Sequence, residues 1–429
     1  MSGPGAIRPE TLGSAAFRAR YGLRVAYMAG AMANGIASEE LVRAMSAAGM
    51  MASFGAAGVA PDRVRTAIRS LRADVPSGQL CVNFIHLPDA PERERTFAAL
   101  LVEEGVTVVE ASAFMAVTPG LVLYRARNAD RVPNRVIAKV SRPEVAAFFL
   151  NPPEADMLRD LVAEGALSPE EAAAASRAPL ATDITVEADS GGHTDNQQLV
   201  TAFPTILALR DEVALAFPPA RQIALGAAGG LGTPAALAAA FAMGADYVVT
   251  GSINQSCVEA GTSAAVKRML ADLGAGGVAM APAADMFELG VRVQVARRGT
   301  LFATRAQLLY DLFRRYRELA ALPAEERERV ERSLFRCSFD EVWHEVEAYW
   351  QVHGPSELEK AAADGQRRLA LMFRWYLGKS SDWARSGTAD RAATTRSGAA
   401  LRWAPSTPGL ARLLSPHQRP GGWPRSARR

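Results

Sequence analysis

Cysteine is scarce: Cys81, Cys257 and Cys337 stand far apart, with no Cys-x-x-Cys pair. That spacing argues against a disulfide framework or a cysteine zinc site and fits a reducing compartment. No cluster of His, Asp and Glu has metal-ligand spacing either, so no metal is expected. Long hydrophobic runs are missing, and nothing approaches the roughly 18 uninterrupted apolar residues a membrane span requires. The N-terminus has no basic segment followed by an apolar run, so no signal peptide is expected. The chain reads as soluble and cytoplasmic. A net charge of +3 over 429 residues gives no reason to expect nucleic acid. Walker and Gly-x-Ser-x-Gly motifs are absent, and no Gly-x-Gly-x-x-Gly turn follows the first apolar run. The last absence weakens a doubly wound dinucleotide fold, the second choice of architecture.

What is present is an alternation. Eight short apolar runs recur: LRVAYM (23–28), GMMASF (49–54), LCVNFI (80–85), VTVVEA (106–111), RVIAKV (135–140), ITVEAD (184–189), QIALGA (222–227) and DYVVTG (246–251). Such runs suit strands buried on both faces of a parallel sheet. Helical patterns fill the gaps, as in 38–49, 93–105 and 233–245. Eight strand–helix units over about 250 residues predict an α/β fold of the (β/α)8 TIM-barrel type. The barrel is expected over residues 23–280, after a lead-in of 1–22. A helical insertion at 141–183 follows the fifth strand, and we expect it on the face where barrel loops build active sites. Residues 281–385 read as a charged, amphipathic helical appendage. From 386 onward the chain is rich in Arg, Ser, Pro and Gly and reads as a disordered tail.

Candidate chemistry gathers at the expected strand ends. GAAGGLGTP (226–234) and TGSINQ (250–255) close the seventh and eighth strands, where barrels form a phosphate cup from backbone N–H groups and a helix N-terminus. Gly229, Gly230, Gly251 and Ser252 would line it, with Thr233 capping the next helix and Pro234 at its first position. EADSGGHTDN (187–196) places His193 after Gly191 and Gly192 on a tight loop, and a histidine there can exchange protons near neutral pH. Asn83 can bond the polar edge of a cofactor ring, and Lys139 can place a cation beside it. Glu187 and Asp189 are candidates to orient His193 or bind a sugar-like hydroxyl. His86 is an equal choice between site and scaffold. Strand-end Asn, Lys and His are too polar for a barrel interior unless they face a ligand.

With AGAMANGIAS (29–38), VNFIH (82–86), VEASAFMAVTP (109–119), NRVIAKVSRPEVA (134–146), APAADMFELGVRVQV (281–295) and FRWYLGKSSDWA (373–384), these loops resemble one family. It is the PfaD-like trans-acting enoyl reductases of polyunsaturated fatty acid and polyketide synthases, within the 2-nitropropane-dioxygenase-like flavoproteins. The likeness spans about 22–385, and beyond it the Arg/Pro/Gly-rich tail departs from the family pattern. The resemblance implies FMN, with its phosphate on Gly229, Gly230, Gly251 and Ser252. Its isoalloxazine would meet Met28, Ala29 and Gly30, Asn83 and Lys139, and Gly191 and Gly192 would line the cofactor. His193 matches the active-site histidine. The implied reaction is reduction of enoyl thioesters on an acyl carrier protein with NADPH or NADH. Apart from the resemblance, a helical appendage can bury against a copy of itself, so a homodimer is expected. Nitronate oxidation, a flavin-free phosphate-ligand barrel and a non-catalytic synthase component are the alternatives.

Overall fold

A computed structural model describes residues 8–88, 90–274, 276–394 and 396–398. All eight expected strands form. They are β1 (Tyr27–Ala29), β2 (Met51–Phe54), β3 (Leu80–Ile85), β4 (Val108–Ser112), β5 (Arg135–Val140), β6 (Asp183–Glu187), β8 (Ala224–Ala228) and β9 (Tyr247–Thr250). They pair in parallel, in chain order, and β9 closes onto β1 with Ala29 opposite Thr250. A two-residue strand, β7 (Gly192–His193), stands outside the barrel.

Each strand turns alternate residues inward, because successive side chains leave a strand on opposite faces. The outward set, with Val82, Phe84, Val109, Val136 and Ile184, packs under the helices as one large apolar cluster. The inward set includes Met28, Met51, Cys81, Val108, Ile137, Tyr247 and Val249. Gly226 belongs to the same interior, and a Cβ there would lie 2.4 Å from the Tyr247 ring, so the glycine makes room for a fully buried tyrosine. The end where the strands start is plugged by the helix Ala15–Tyr21. Phe17 stacks on Tyr247 at 4.0 Å, and Tyr21 donates its hydroxyl to Asp183 Oδ2 at 2.5 Å. Part of the N-terminal lead-in is therefore a fitted part of the barrel.

The insertion after β5 is helical, with Pro143–Leu150, Ala155–Ala163 and Pro169–Ala175. Its position corrects the expectation. The extra helices lie between the end of the Pro143–Leu150 helix and the start of β6, a helix-to-strand connection at the end where the strands begin. Arg127 and Asn128, which follow the helix Pro119–Ala126, bond to Glu171 there. Catalytic loops of barrels occupy the other end.

A second unit comprises Asp189–Asn196 and the described residues from Thr262 on. It starts earlier than the expected 281, and it recruits the segment that leaves β6. It is also not purely helical. β10 (Val278–Pro282) and β11 (Arg292–Ala296) pair antiparallel, and β7 joins the edge of β11 with His193 opposite Val293. Phe287, Phe302, Phe335, Phe373 and Tyr376 fill its core, Phe335 meeting Phe339 edge-on at 5.3 Å. The helix Gly365–Ser386 runs through this core and ends on Gly387, whose φ of 72° closes the last turn. Residues after 386 are ordered further than expected. A 3-10 turn covers Ala389–Thr394, Arg391 donates to the Phe335 carbonyl at 2.6 Å, and Gly398 bridges to Val295. The remainder of the expected tail, 399–429, lies outside the described residues.

Candidate active site

The upper interior of the barrel, at the ends of the strands, changes character from apolar to polar. Two residues beyond the inward-facing Met51, Cys81, Val108 and Ile137 stand Ser53, Asn83, Glu110 and Lys139, and the next strand supplies Glu187. The period of two fixes this: an inward residue predicts another inward residue two positions on. Asn83 is buried and donates through Nδ2 to the Glu110 carbonyl at 3.1 Å and to Ser112 Oγ at 3.0 Å. Lys139 Nζ lies 2.8 Å from Glu187 Oε1. Burial alone would push the Lys139 ammonium down, but Glu187 and Glu110 outweigh it and hold it above its ordinary value. Burial pushes the Glu110 carboxyl up, against the pull of Lys139 and the Ala31 amide.

Glu110 has no exposed surface. Its Oε2 accepts the Ala31 N–H at 2.7 Å, which fixes the turn after β1. Its Oε1 and the Ser53 hydroxyl are buried and make no hydrogen bond of ordinary geometry among the described residues, although the hydroxyl is close enough to help pull the carboxyl down. Neither residue emerged from the sequence, although both stand in the same inward register as Asn83 and Lys139.

On the opposite arc β8, β9 and β1 end side by side, since Ala228 pairs with Val249 and the Gly30 N–H donates to the Thr250 carbonyl at 2.9 Å. This places Met28, Ala29 and Gly30 at the same end of the barrel as Gly229, Gly230, Gly251 and Ser252. Gly229 and Gly230 have φ of 97° and 65°, a left-handed pair that side chains rarely adopt. Thr233 Oγ1 accepts the Ala236 N–H at 3.1 Å and Pro234 opens the helix Pro234–Ala242, so the expected cap is in place. The positive end of that helix and the turned backbone suit an anion. Asn254, fully buried, ties the second loop by donating to the Thr250 carbonyl at 2.8 Å.

Gly191, Gly192 and His193 lie in the second unit. His193 is half-exposed, and its Nε2 is 3.2 Å from the Asp285 carboxylate. Burial alone would raise the Asp285 carboxyl, but its hydrogen bond to His193 and that ring's charge hold it below its ordinary value. The expected orienting role of Glu187 and Asp189 is thus corrected. Glu187 pairs with Lys139, and Asp189 accepts from Gln294 Nε2 at 3.0 Å and Thr194 Oγ1 at 3.2 Å. No sequence signal marked Asp285, which is 92 residues away from its partner. His86 takes a scaffold place: its Nδ1 is 2.8 Å from Glu94, a buried carboxylate that also accepts the Leu87 N–H and the Thr118 hydroxyl. Among the described residues no His, Cys, Asp and Glu group is arranged to hold a metal, and no helix is long and apolar enough to cross a membrane.

Comparison with known proteins finds two family matches along the chain, the first of which runs from the barrel into the second unit. Residues 24–298 match the nitronate monooxygenase family, and 316–394 match the inserted helical domain of the [acyl-carrier-protein] S-malonyltransferase family. One of the polyunsaturated fatty acid synthase subunits of a Thraustochytrium species is 44% identical over 90% of this chain and 27% of its own length. The polyketide biosynthesis protein PksE of Bacillus subtilis is 42% identical over 89% of this chain and 50% of its own. The chain thus spans half or less of these curated relatives. The crystal structure of the enoyl reductase domain of MlnA, from the macrolactin cluster of Bacillus amyloliquefaciens, superposes with a TM-score of 0.87 at 34% identity. That alignment covers 95% of this chain and 96% of that one.

Proposed function

The chain belongs to the nitronate monooxygenase family, in the branch of the trans-acting enoyl reductases of polyketide and polyunsaturated fatty acid synthases, and from that premise we propose that it is an FMN-dependent enoyl reductase of such a synthase. It would work in the cytoplasm on enoyl thioesters borne by an acyl carrier protein, with NADPH or NADH as reductant. The observation that carries the reading is the barrel's upper interior, where a left-handed glycine pair beside a helix N-terminus faces a polar arc of buried Asn83 and Glu110 and partly buried Lys139 and Glu187. That donor set fits a phosphate-bearing cofactor with a polar heterocycle. Buried polar groups are retained where a partner offsets their desolvation.

When bound, FMN would supply the hydride chemistry that reduction of an enoyl thioester by a nicotinamide needs. The chain's own residues do the rest. Backbone N–H groups around Gly229, Gly230, Gly251 and Ser252 bind the phosphate. Asn83 and Lys139 orient the ring, the ammonium of Lys139 offsetting negative charge that develops beside it. Met28, Ala29 and Gly30, with the amide turn held by Glu110, wall the site. His193 is assigned the proton for the α-carbon: with Nε2 bonded to Asp285, Nδ1 is the nitrogen left to exchange it.

An absorbance spectrum of the purified protein tests this reading. We expect flavin bands that bleach under anaerobic NADPH and return on adding a crotonyl thioester. A protein that cannot take up FMN overturns it. The family match at 24–298 supports one rival, oxidation of alkyl nitronates with His193 as base; turnover of a nitronate exceeding that of the crotonyl thioester would favour it.

A further inference from the structure

Within the second unit a cleft of about 480 Å³ is lined by Phe313, Arg314, Arg317, Gln366 and Arg367, with Glu288 and Asp364. Its charges are not balanced. Glu288 already carries both Arg367 and Arg374, and Glu357 holds Arg367 and Lys360. Asp364 accepts the Gln366 N–H at 2.9 Å as the cap of the helix Gly365–Ser386. Asp364 keeps its charge, and the lining still sets Arg314, Arg317 and Arg367 against Glu288 and Asp364, an excess of positive charge. Arg317 donates only to the neutral Gln366 amide, at 2.5 Å, and Arg314 has no partner among the described residues. Elsewhere in this unit Arg327, Arg329 and Arg332 each pair with a glutamate on their own helical stretch.

Two features separate the cleft from an ordinary solvated helix end. Arg314 closes the helix Phe302–Arg315 and there meets its negative pole, an ordinary stabilising place for a cation. Arg317, however, lies beyond the cap residue Tyr316, and its guanidinium is held by a side chain of another helix. Arg367 is fixed between two carboxylates. Guanidiniums pinned in advance lose less entropy when an anion arrives. The arginines are exposed or only half-buried around a wide mouth, over the buried ring of Phe313. That arrangement suits the carboxylates of a protein surface better than a free phosphate, which needs a closed cup.

We propose that this cleft is the docking surface for an acidic partner, the acyl carrier protein itself. The proposal rests on the enoyl reductase reading and adds where the substrate's carrier sits.

The test compares a crotonyl thioester on acyl carrier protein with the same thioester on pantetheine, using the full chain loaded with FMN. Reversing two charges in Arg314→Glu/Arg317→Glu is expected to lower the preference for the carrier-borne substrate about tenfold and to flatten its salt dependence. The same charge change in Arg329→Glu/Arg332→Glu is expected to leave the preference within about twofold, since rim charges far from the contact add little. Titration of the unreacted carrier protein against each variant gives the affinity directly. A preference and affinity unmoved by the cleft variant, or lowered equally by the control, would overturn the docking site while leaving the reductase intact. Failure of the unaltered chain to reduce either thioester would instead overturn the reductase reading, and the docking proposal with it.

Discussion

Two buried carboxylates at opposite ends of one barrel interior, Asp183 and Glu110, are matched in burial and unlike in company. Asp183 Oδ2 takes the Tyr21 hydroxyl, and Oδ1 takes Arg20 and the Ala224 N–H. Burial pushes both carboxyls up, and in both a cation pulls back, Arg20 at one end and Lys139 at the other. Yet Glu110 Oε1 makes no hydrogen bond of ordinary geometry among the described residues, and the help it has there is the Ser53 hydroxyl, itself buried in the same polar layer. A buried carboxylate with every oxygen used closes a structure, whereas one left half-used is a cost that the fold alone does not recover. The sealed end is scaffold, and the less complete end is the one that the proposed function assigns to the ligand.

The comparison can be broken most directly at the sealed end. Asp183→Ala leaves Arg20 and the Tyr21 hydroxyl facing a void. We expect a loss of about 3–5 kcal/mol in denaturant unfolding, with the flavin spectrum of whatever remains folded unchanged. A cost below about 1 kcal/mol would remove the distinction between the two ends. Lys139→Met acts at the open end, and leaves Glu110 and Glu187 without their shared cation. FMN affinity, read by equilibrium dialysis, is expected to fall about tenfold, while the helical unit keeps its own unfolding transition.

A smaller effect sharpens the contrast. Glu110→Gln keeps an acceptor for the Ala31 N–H, so stability should move by no more than about 1 kcal/mol. Removing a negative charge beside the ring site should nevertheless make the midpoint potential of bound flavin less negative. A purely structural Glu110 would leave that potential where it is. The smallest expected change concerns Asp285. Its carboxyl is held below its ordinary value in the folded chain, so it adds stability above the unfolded value, lost as pH falls through the folded one. Melting curves of Asp285→Asn should therefore stay apart from those of the unaltered chain above about pH 4 and converge only as the pH falls further, through the lowered folded value.

Most of the barrel was legible because its strands announce themselves locally. LCVNFI and RVIAKV are apolar runs bounded by turns, and they coincide with β3 and β5 residue for residue. The glycine loops were legible for a related reason: Gly229, Gly230 and Thr233–Pro234 are placed by backbone demands that a short segment already states. Glu110 escaped notice because VTVVEA reads as one more apolar strand with an acid near its end. Whether that acid faces the interior is set by its register against Asn83 and Ile137. The insertion was misplaced because helical periodicity carries no information about which end of the barrel a connection occupies. Asp285 was missed because its partner lies on a different strand-end segment of the chain.

The sequence by itself determined the fold class, the number and order of the strands, and the glycine turns at the ends of two of them. These depend on hydrophobic period and on glycine and proline geometry, which act over a few residues. Only the tertiary structure decided that His193 leaves the barrel segment to become the edge of a second sheet beside Asp285, and that one of two buried carboxylates stays half-used. Pairing and burial between segments distant in sequence are settled when the whole chain is packed, and no local pattern encodes them.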